Sequence, residues 1–229
     1  MKIVVASAVL LGSIALSSAS VAQVETRQVP PFSKLSVAHG IDVELRQTDR
    51  ENLRIEVDGI ELADVESVVA DGELRLSRRE RKPGPERGRV RAYVDFVSLT
   101  SIAASSGSDV ESNGVLELED LTVAASSGSD VELEINARSL SVHVSSGSDV
   151  EVEGAVETFS VEASSGSDVS ADELEARDVT LRLSSGSDAE VRATGSVDIQ
   201  ASSGSDVTVY GNPATRNVNA DRSSDVVWR

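Results

Sequence analysis

The chain has 229 residues, with 39 Asp and Glu against 21 Lys and Arg, for a net charge of −18 at neutral pH. That surface excludes nucleic acid as a partner, disfavours anionic lipid, and attracts cations or basic partners. Cysteine is absent, which rules out disulfides, thiolate metal sites and a lipid anchor on an N-terminal cysteine.

The first 22 residues read as a secretory signal. Lys2 precedes an apolar run from Ile3 to Leu16, and small residues at Ser20 and Ala22 fit cleavage before Gln23. The run is too short for a convincing membrane span. Processing removes one base and no acid, so the mature chain carries −19. The expected location is extracytoplasmic: periplasm, outer surface or secreted, and not integral to the membrane once the signal is cleaved.

Residues 23–97 form the next segment. Ile41-x-Val43-x-Leu45, Leu53-x-Ile55-x-Val57, Leu74-x-Leu76 and Val90-x-Ala92-x-Val94-x-Phe96 alternate apolar with polar, the signature of half-buried strands. Turn signals stand between them at Gly40, Asp58-Gly59 and Asp71-Gly72. Residues 78–89, with Pro83-Gly84-Pro85 and several bases, read as an exposed loop. The strands are expected to cap the rest of the chain, as one continuous domain with it, because an open β-edge needs cover.

From residue 98 the chain repeats itself. Ser-Ser-Gly-Ser-Asp begins at residues 105, 126, 145, 164, 184 and 202, with a degenerate copy at Ser223-Ser224-Asp225. The aspartates Asp109, Asp130, Asp149, Asp168, Asp188, Asp206 and Asp225 succeed one another by 21, 19, 19, 20, 18 and 19 residues. A short, nearly constant period means a solenoid whose units bury their apolar faces against one another.

Aligning the copies on Asp makes the chain its own comparison. Nine residues before it stand Thr100, Leu121, Leu140, Phe159, Val179 and Val197; seven before, Ile102, Val123, Val142, Val161, Leu181 and Ile199. One after it stand Val110, Val131, Val150, Val169, Ala189, Val207 and Val226. Odd offsets are apolar and even ones polar, which is strand periodicity. Carried unbroken through the motif, the alternation turns Ser106 and Ser108 inward at each copy, with Asp109 outward. Gly107, Gly128, Gly147, Gly166, Gly186 and Gly204 then mark a bend, and the small serines fill a corner with little interior room. The expectation is an all-β, right-handed parallel β-helix of about seven rungs of ~19 residues, with coils about 4.8 Å apart.

Particular residues carry a family likeness. Phe32-Ser33-Lys34-Leu35-Ser36-Val37 leads into Gly40-Ile41-Asp42-Val43-Glu44-Leu45, with Asp71-Gly72-Glu73-Leu74, Ser105-Ser106-Gly107-Ser108-Asp109-Val110 and Val209-Tyr210-Gly211-Asn212-Pro213 further on. Over residues 28–228 this resembles the bacterial head GIN domain family of auto-transporter adhesins, with Asp42 where the family's name has Asn. The resemblance implies a secreted or envelope β-helix that binds surfaces. It carries over no catalytic residues, and no translocator barrel comes after the repeats in this sequence.

Three function classes fit these residues. The first is a non-enzymatic module that presents repeated acidic columns to an envelope or surface macromolecule, protein or glycan. The second is a calcium-binding solenoid, with Asp109, Asp130, Asp149, Asp168, Asp188 and Asp206 as candidate ligands; stacked carboxylates repel by roughly 1 kcal/mol per pair even in water, and a hard cation relieves that. The third, a polysaccharide-acting enzyme, needs a unique cluster in a pocket. Here Ser and Asp are abundant because they repeat, and His39 and His143 read as exposed residues, so no enzyme is expected. No cofactor is expected apart from the calcium alternative. The bases Arg75, Arg78, Arg79, Arg81, Lys82, Arg87, Arg89 and Arg91 read as a solvated loop with its flanking strands; the competing reading is a site for an anionic glycan or for the acidic repeats of a neighbouring molecule.

Overall fold

A computed structural model describes residues 22–79 and 88–229. Residues 1–21, nearly all of the signal expected over residues 1–22, and the bases Arg81, Lys82 and Arg87 lie outside the described residues. Among the described residues, apart from one 3-10 turn at Leu62–Asp64, the regular structure is all strand, coiled into a parallel solenoid of about seven turns.

The repeats build the regular part. Strands β8 (Ser101–Ser105), β9 (Asp109–Ser112), β10 (Leu116–Ser126), β11 (Asp130–Ser145), β12 (Asp149–Ser164), β13 (Asp168–Ser184) and β14 (Asp188–Ala201) lead to β15 (Val207–Tyr210), β16 (Thr215–Ala220) and β17 (Val226–Trp228). Equivalent residues of successive coils are register partners, as in Val131 with Val150, Val142 with Val161 and Leu140 with Phe159. The columns seven before and one after the motif Asp are buried through every coil but the last. Each such Val, Leu or Ile contributes roughly 1.5–3 kcal/mol relative to exposure. One inward assignment fails: Thr100 is exposed and its neighbour Leu99 fills the core. Leu99 precedes β8, where strand alternation has not yet set in.

The corner also departs from simple alternation. Ser106 and Gly107 both take left-handed backbone conformations, φ 57° and 66°, and the same pair recurs down to Ser203-Gly204 at 60° and 76°. Ser106, Ser127, Ser146, Ser165, Ser185 and Ser203 therefore face solvent, not the interior. Period-2 alternation holds only while the chain stays in the β region; two successive left-handed residues turn the chain and restart the count. Ser108, Ser129, Ser148, Ser167, Ser187 and Ser205 are fully buried. From Gly40 to Gly186 each corner glycine N–H donates to the αL serine carbonyl of the next coil, Gly147 to Ser165 at 3.2 Å for example, and the last, Gly204, donates to Ser223 Oγ at 3.1 Å. A left-handed Ser costs about 1–2 kcal/mol, which this ladder offsets.

Buried hydroxyls need partners, and the inner serines have them. Ser129 Oγ accepts the Ser126 N–H at 3.0 Å and donates to the Ala104 carbonyl at 3.0 Å. Ser187 Oγ contacts the Ala163 and Ser184 carbonyls at 3.1 and 3.0 Å. The Ser129 and Ser205 N–H groups donate to Ser148 Oγ and Ser224 Oγ.

The N-terminal strands enter out of sequence order. Strands β2 (Lys34–Ala38) and β3 (Ile41–Gln47) form a full coil beneath β8 and β9, with Leu35 opposite Ile102 and Val43 opposite Val110. Its corner is His39-Gly40, left-handed at φ 67° and 68°. Gly40-Ile41-Asp42-Val43 is thus a first copy of Gly-Ser-Asp-Val. Ile41 is buried in place of the inner serine, and its N–H donates to Ser108 Oγ at 3.2 Å. Below that coil lie β6 (Glu73–Arg78) and β7 (Arg89–Phe96), parallel to β2 and β3.

Antiparallel strands finish this end. Strand β5 (Val65–Ala70) folds onto β6 through the two-residue Asp71-Gly72 turn, both left-handed as such hairpins require. Strand β4 (Asn52–Asp58) pairs with β7, and β1 (Gln23–Arg27) with β4. Arg27 braces the two outer strands by donating to the Val65 and Leu62 carbonyls at 2.8 and 3.1 Å.

Candidate binding face

Each corner divides the surface into two faces of opposite character. After the corner, β3, β9, β11, β12, β13 and β14 present Asp42, Asp109, Asp130, Asp149, Asp168 and Asp188 in one column, which Asp206 continues just before β15. Two residues on runs a second column, Glu44, Glu111, Glu132 and Glu151, broken by Ser170 and resumed at Glu190. Glu134 and Glu153 begin a third. Strand alternation forces these side chains outward, since their neighbours Val110, Val131, Val150 and Val169 are buried.

The Asp column is held by main chain as well as displayed. The Asp206 and Asp225 N–H groups donate to the carboxylates of Asp188 and Asp206, each at 3.1 Å. Partial burial first, then the neighbouring aspartates, push the carboxyls of Asp109 and Asp168 above the ordinary range. The carboxyl of Glu153 is raised chiefly by Glu173. Raised values are what a row of like charges produces. In β7, Arg91 stands in register with Asp42, so a guanidinium closes the column at this end. Its pKa is raised by Tyr93 and the surrounding acids Glu111 and Asp42, against the lowering effect of burial. Arg91, Asp42, Asp109, Glu111, Asp130 and Glu132 line an open groove of about 270 Å³.

Before the corner the surface is mostly short side chains with few charges. One column reads Ser101, Thr122, Ser141, Ser160, Thr180 and Asp198; another reads Ser105, Ser126, Ser145, Ser164 and Ser184. Between them run Ala103, Ala124, His143, Glu162, Arg182 and Gln200. His143 Nε2 lies 3.3 Å from Ser141 Oγ, and Nδ1 lies 3.2 Å from Glu162. That row has the connectivity of a hydrolytic triad. These residues sit in strands paired on both sides, where the sheet ladder takes up the backbone N–H groups an oxyanion hole would need. His143 and Glu162 are also half exposed, with no dry pocket to strengthen their electrostatics.

The structure brings all six sequence-predicted aspartates into one line, with every motif glycine at the bend beside it. It adds Asp42 and Arg91 to that line. The signal for Asp42 is the shared Gly-x-Asp-Val of Gly40–Val43 and Gly107–Val110; Arg91 stands in the sequence only among the clustered bases, with nothing there to set it beside Asp42. A line is not a cage, and among the described residues no three His, Asp or Glu side chains gather closely enough to hold a metal ion.

Residues 31–213 match the family described as putative auto-transporter adhesin, head GIN domain. The chain belongs to this family. Gly40-Ile41-Asp42, at its naming motif, is therefore the first corner of the coil. A comparison with functionally curated proteins finds no match. Solved structures are similar across nearly their whole length at low identity. A putative adhesin from Bacteroides fragilis NCTC 9343 shares 17% identity with a TM-score of 0.83, covering 92% of this chain and 98% of that one. A putative adhesin from Parabacteroides distasonis ATCC 8503 shares 16%, with a TM-score of 0.73 and coverage of 91% and 98%. A putative lipid binding protein from the same strain shares 15%, with a TM-score of 0.70 and coverage of 90% and 96%. At these identities the likeness shows the shared fold. Among the described residues no helix is long and apolar enough to cross a membrane.

Proposed function

We propose that this chain is a non-enzymatic, extracytoplasmic binding module that docks a basic surface of another envelope or cell-surface macromolecule against its acidic face. The observation that carries the reading is the division of charge between faces. An Asp stands at every coil on one side, with a Glu two residues on in most of them, while the other side is hydroxyl and alanine with few charges. Parallel coils repeat about every 4.8 Å, so a partner with regularly spaced cations meets several carboxylates at once. Each contact is weak when solvated; avidity comes from repetition. The adhesin descriptions in the family and among the similar structures support the reading.

The test is binding of the processed chain to an immobilised basic peptide, a neutral glycan and an acidic glycan, at two salt concentrations. Binding to the basic probe, falling with salt and lost in Glu132→Gln/Glu151→Gln/Glu190→Gln, is the expected result. Unchanged binding in that variant, with loss in Thr122→Ala/Ser141→Ala/Ser160→Ala, would move the site to the hydroxyl face.

A further inference from the structure

We infer that Asn113-Gly114 is a self-modification site, where the chain loses ammonia, takes up water and becomes aspartate or isoaspartate without an enzyme. The inference does not depend on which face binds a partner.

The sequence has six asparagines. Asn52, Asn136, Asn217 and Asn219 lie within β4, β11 and β16, where ladder hydrogen bonds hold the backbone extended. Leu, Ala, Val and Ala follow them in turn, and each of those side chains hinders its own nitrogen from approaching the asparagine. Asn212 precedes Pro213, whose nitrogen carries no hydrogen and cannot attack. Asn113 differs on every count. It lies between β9 and β10, outside the strands, and a glycine follows it.

The surroundings favour ring closure. Gly114 has φ 88°, and no atom stands within 4 Å of the place a side chain would take. Its nitrogen is therefore unhindered, and glycine tolerates the backbone shapes that the reaction passes through. Asn113, Gly114 and Val115 are all exposed, so water reaches the site. The Asn113 N–H donates to the Leu45 carbonyl at 2.7 Å, and Nδ2 donates to Glu44 Oε1 at 2.5 Å. The first bond ties Asn113 to β3 on its N-terminal side, leaving the turn on the other side, where the reaction needs freedom. The second is one exposed hydrogen bond, which water readily replaces.

The Gly114 nitrogen attacks the side-chain carbonyl carbon of Asn113, closing a five-membered imide. The new C–N bond replaces the bond to Nδ2, which leaves as ammonia with the proton from Gly114. Water then opens the ring. Breaking the new bond gives aspartate, and breaking the original main-chain bond gives isoaspartate. Nothing is oxidised or reduced. The product carboxylate stands at residue 113 beside Glu44, whose register partner is Glu111, so the acidic face gains one negative charge.

The test is peptide mapping by mass spectrometry on residues 23–229 after incubation at pH 7 and pH 9. The expected result is a gain of one mass unit at residue 113, at least tenfold faster than at Asn136, Asn217 or Asn219. It should be faster at pH 9, because the attacking nitrogen must give up its proton. An isoaspartate-specific methyltransferase should label the same peptide. Asn113→Gln, at an exposed position, should remove the change on this timescale, and Gly114→Ala should slow it at least tenfold. Alanine is strained at φ 88°, so melting curves check that this variant folds, while Asn113→Gln keeps the test independent of it. The rate in the folded chain should lie within tenfold of that in a free peptide spanning residues 111–116. A folded chain slower than that overturns the inference, as does conversion spread evenly over the asparagines.

Discussion

The acidic face and the hydroxyl face are made by the same coils, the same period and the same inner columns, yet one concentrates charge and the other almost lacks it. Stability does not require the difference, since the buried Val, Leu and Ile columns lie beneath both faces. A Ser-Thr-Ala surface satisfies the fold at no electrostatic cost. Partial burial and then the neighbouring aspartates raise the carboxyl pKa values of Asp109 and Asp168, and Glu173 raises that of Glu153, so the arrangement opposes folding at neutral pH. Retaining the costly arrangement on one side alone is what directs the binding proposal to that side.

The largest effect should come from the corner that separates the faces. Ser148→Val removes a buried acceptor used by the Ser129 N–H and adds volume where there is little room. A loss of about 2–4 kcal/mol is expected, read by chemical denaturation. Ser146→Gly, two residues earlier at φ 61° and exposed, should cost less than about 1 kcal/mol or stabilise slightly, because glycine takes this conformation without strain. Equal losses at the two positions would contradict the division into a buried and a left-handed serine.

The second expected effect is on pH dependence. Carboxyls raised in the folded state, as at Asp109 and Asp168, bind protons more tightly folded than unfolded. Their contribution is therefore fully present below the unfolded value of about 4 and is lost as pH rises through the higher folded value. The melting temperature should thus increase as pH is lowered from neutral toward the upper carboxylate range. Asp221 has the opposite sign. The N–H groups of Ser203 and Ser223 and the Ser223 hydroxyl hold its carboxyl at about 2. Its contribution is present above the ordinary value of 3.8 and lost as pH falls through about 2. A melting temperature that falls steadily from pH 7 to pH 4 would show that repulsion along the column is not felt.

Smallest is the effect of neutralising the Glu column. Glu132→Gln/Glu151→Gln should raise the melting temperature by a few degrees at low salt, with the gain shrinking as salt screens the charges. Ser141→Ala/Ser160→Ala on the other face should change stability by less than about 0.5 kcal/mol. Millimolar calcium and magnesium should raise the melting temperature of the native chain alike. A rise selective for calcium and reversed by a chelator would instead establish a true calcium site on the aspartates.

The repeated columns were legible because strand period and coil period are both written in the residues: Val142 with Val161, and Asp130 with Asp149, can be paired by counting. Ser106 was not, because its orientation depends on φ, and serine does not announce a left-handed conformation as glycine does. The first corner was obscured by Ile41, which fills the inner serine's place, and by the 66 residues between Asp42 and Asp109. Those residues hold β4 to β7, so the chain builds its second level before its first. Arg91 closes the Asp column only through this crossover.

By itself the sequence determined a cysteine-free parallel coil with an aliphatic interior, a bend at each Ser-Gly and aspartates outside, because these arise from alternation and period along the chain. The tertiary structure decided which serines are buried, where the coil begins, and that acids and hydroxyls occupy separate faces. Those outcomes depend on left-handed backbone geometry and on which strand lies beside which, and neither is set by any stretch of sequence short enough to read locally.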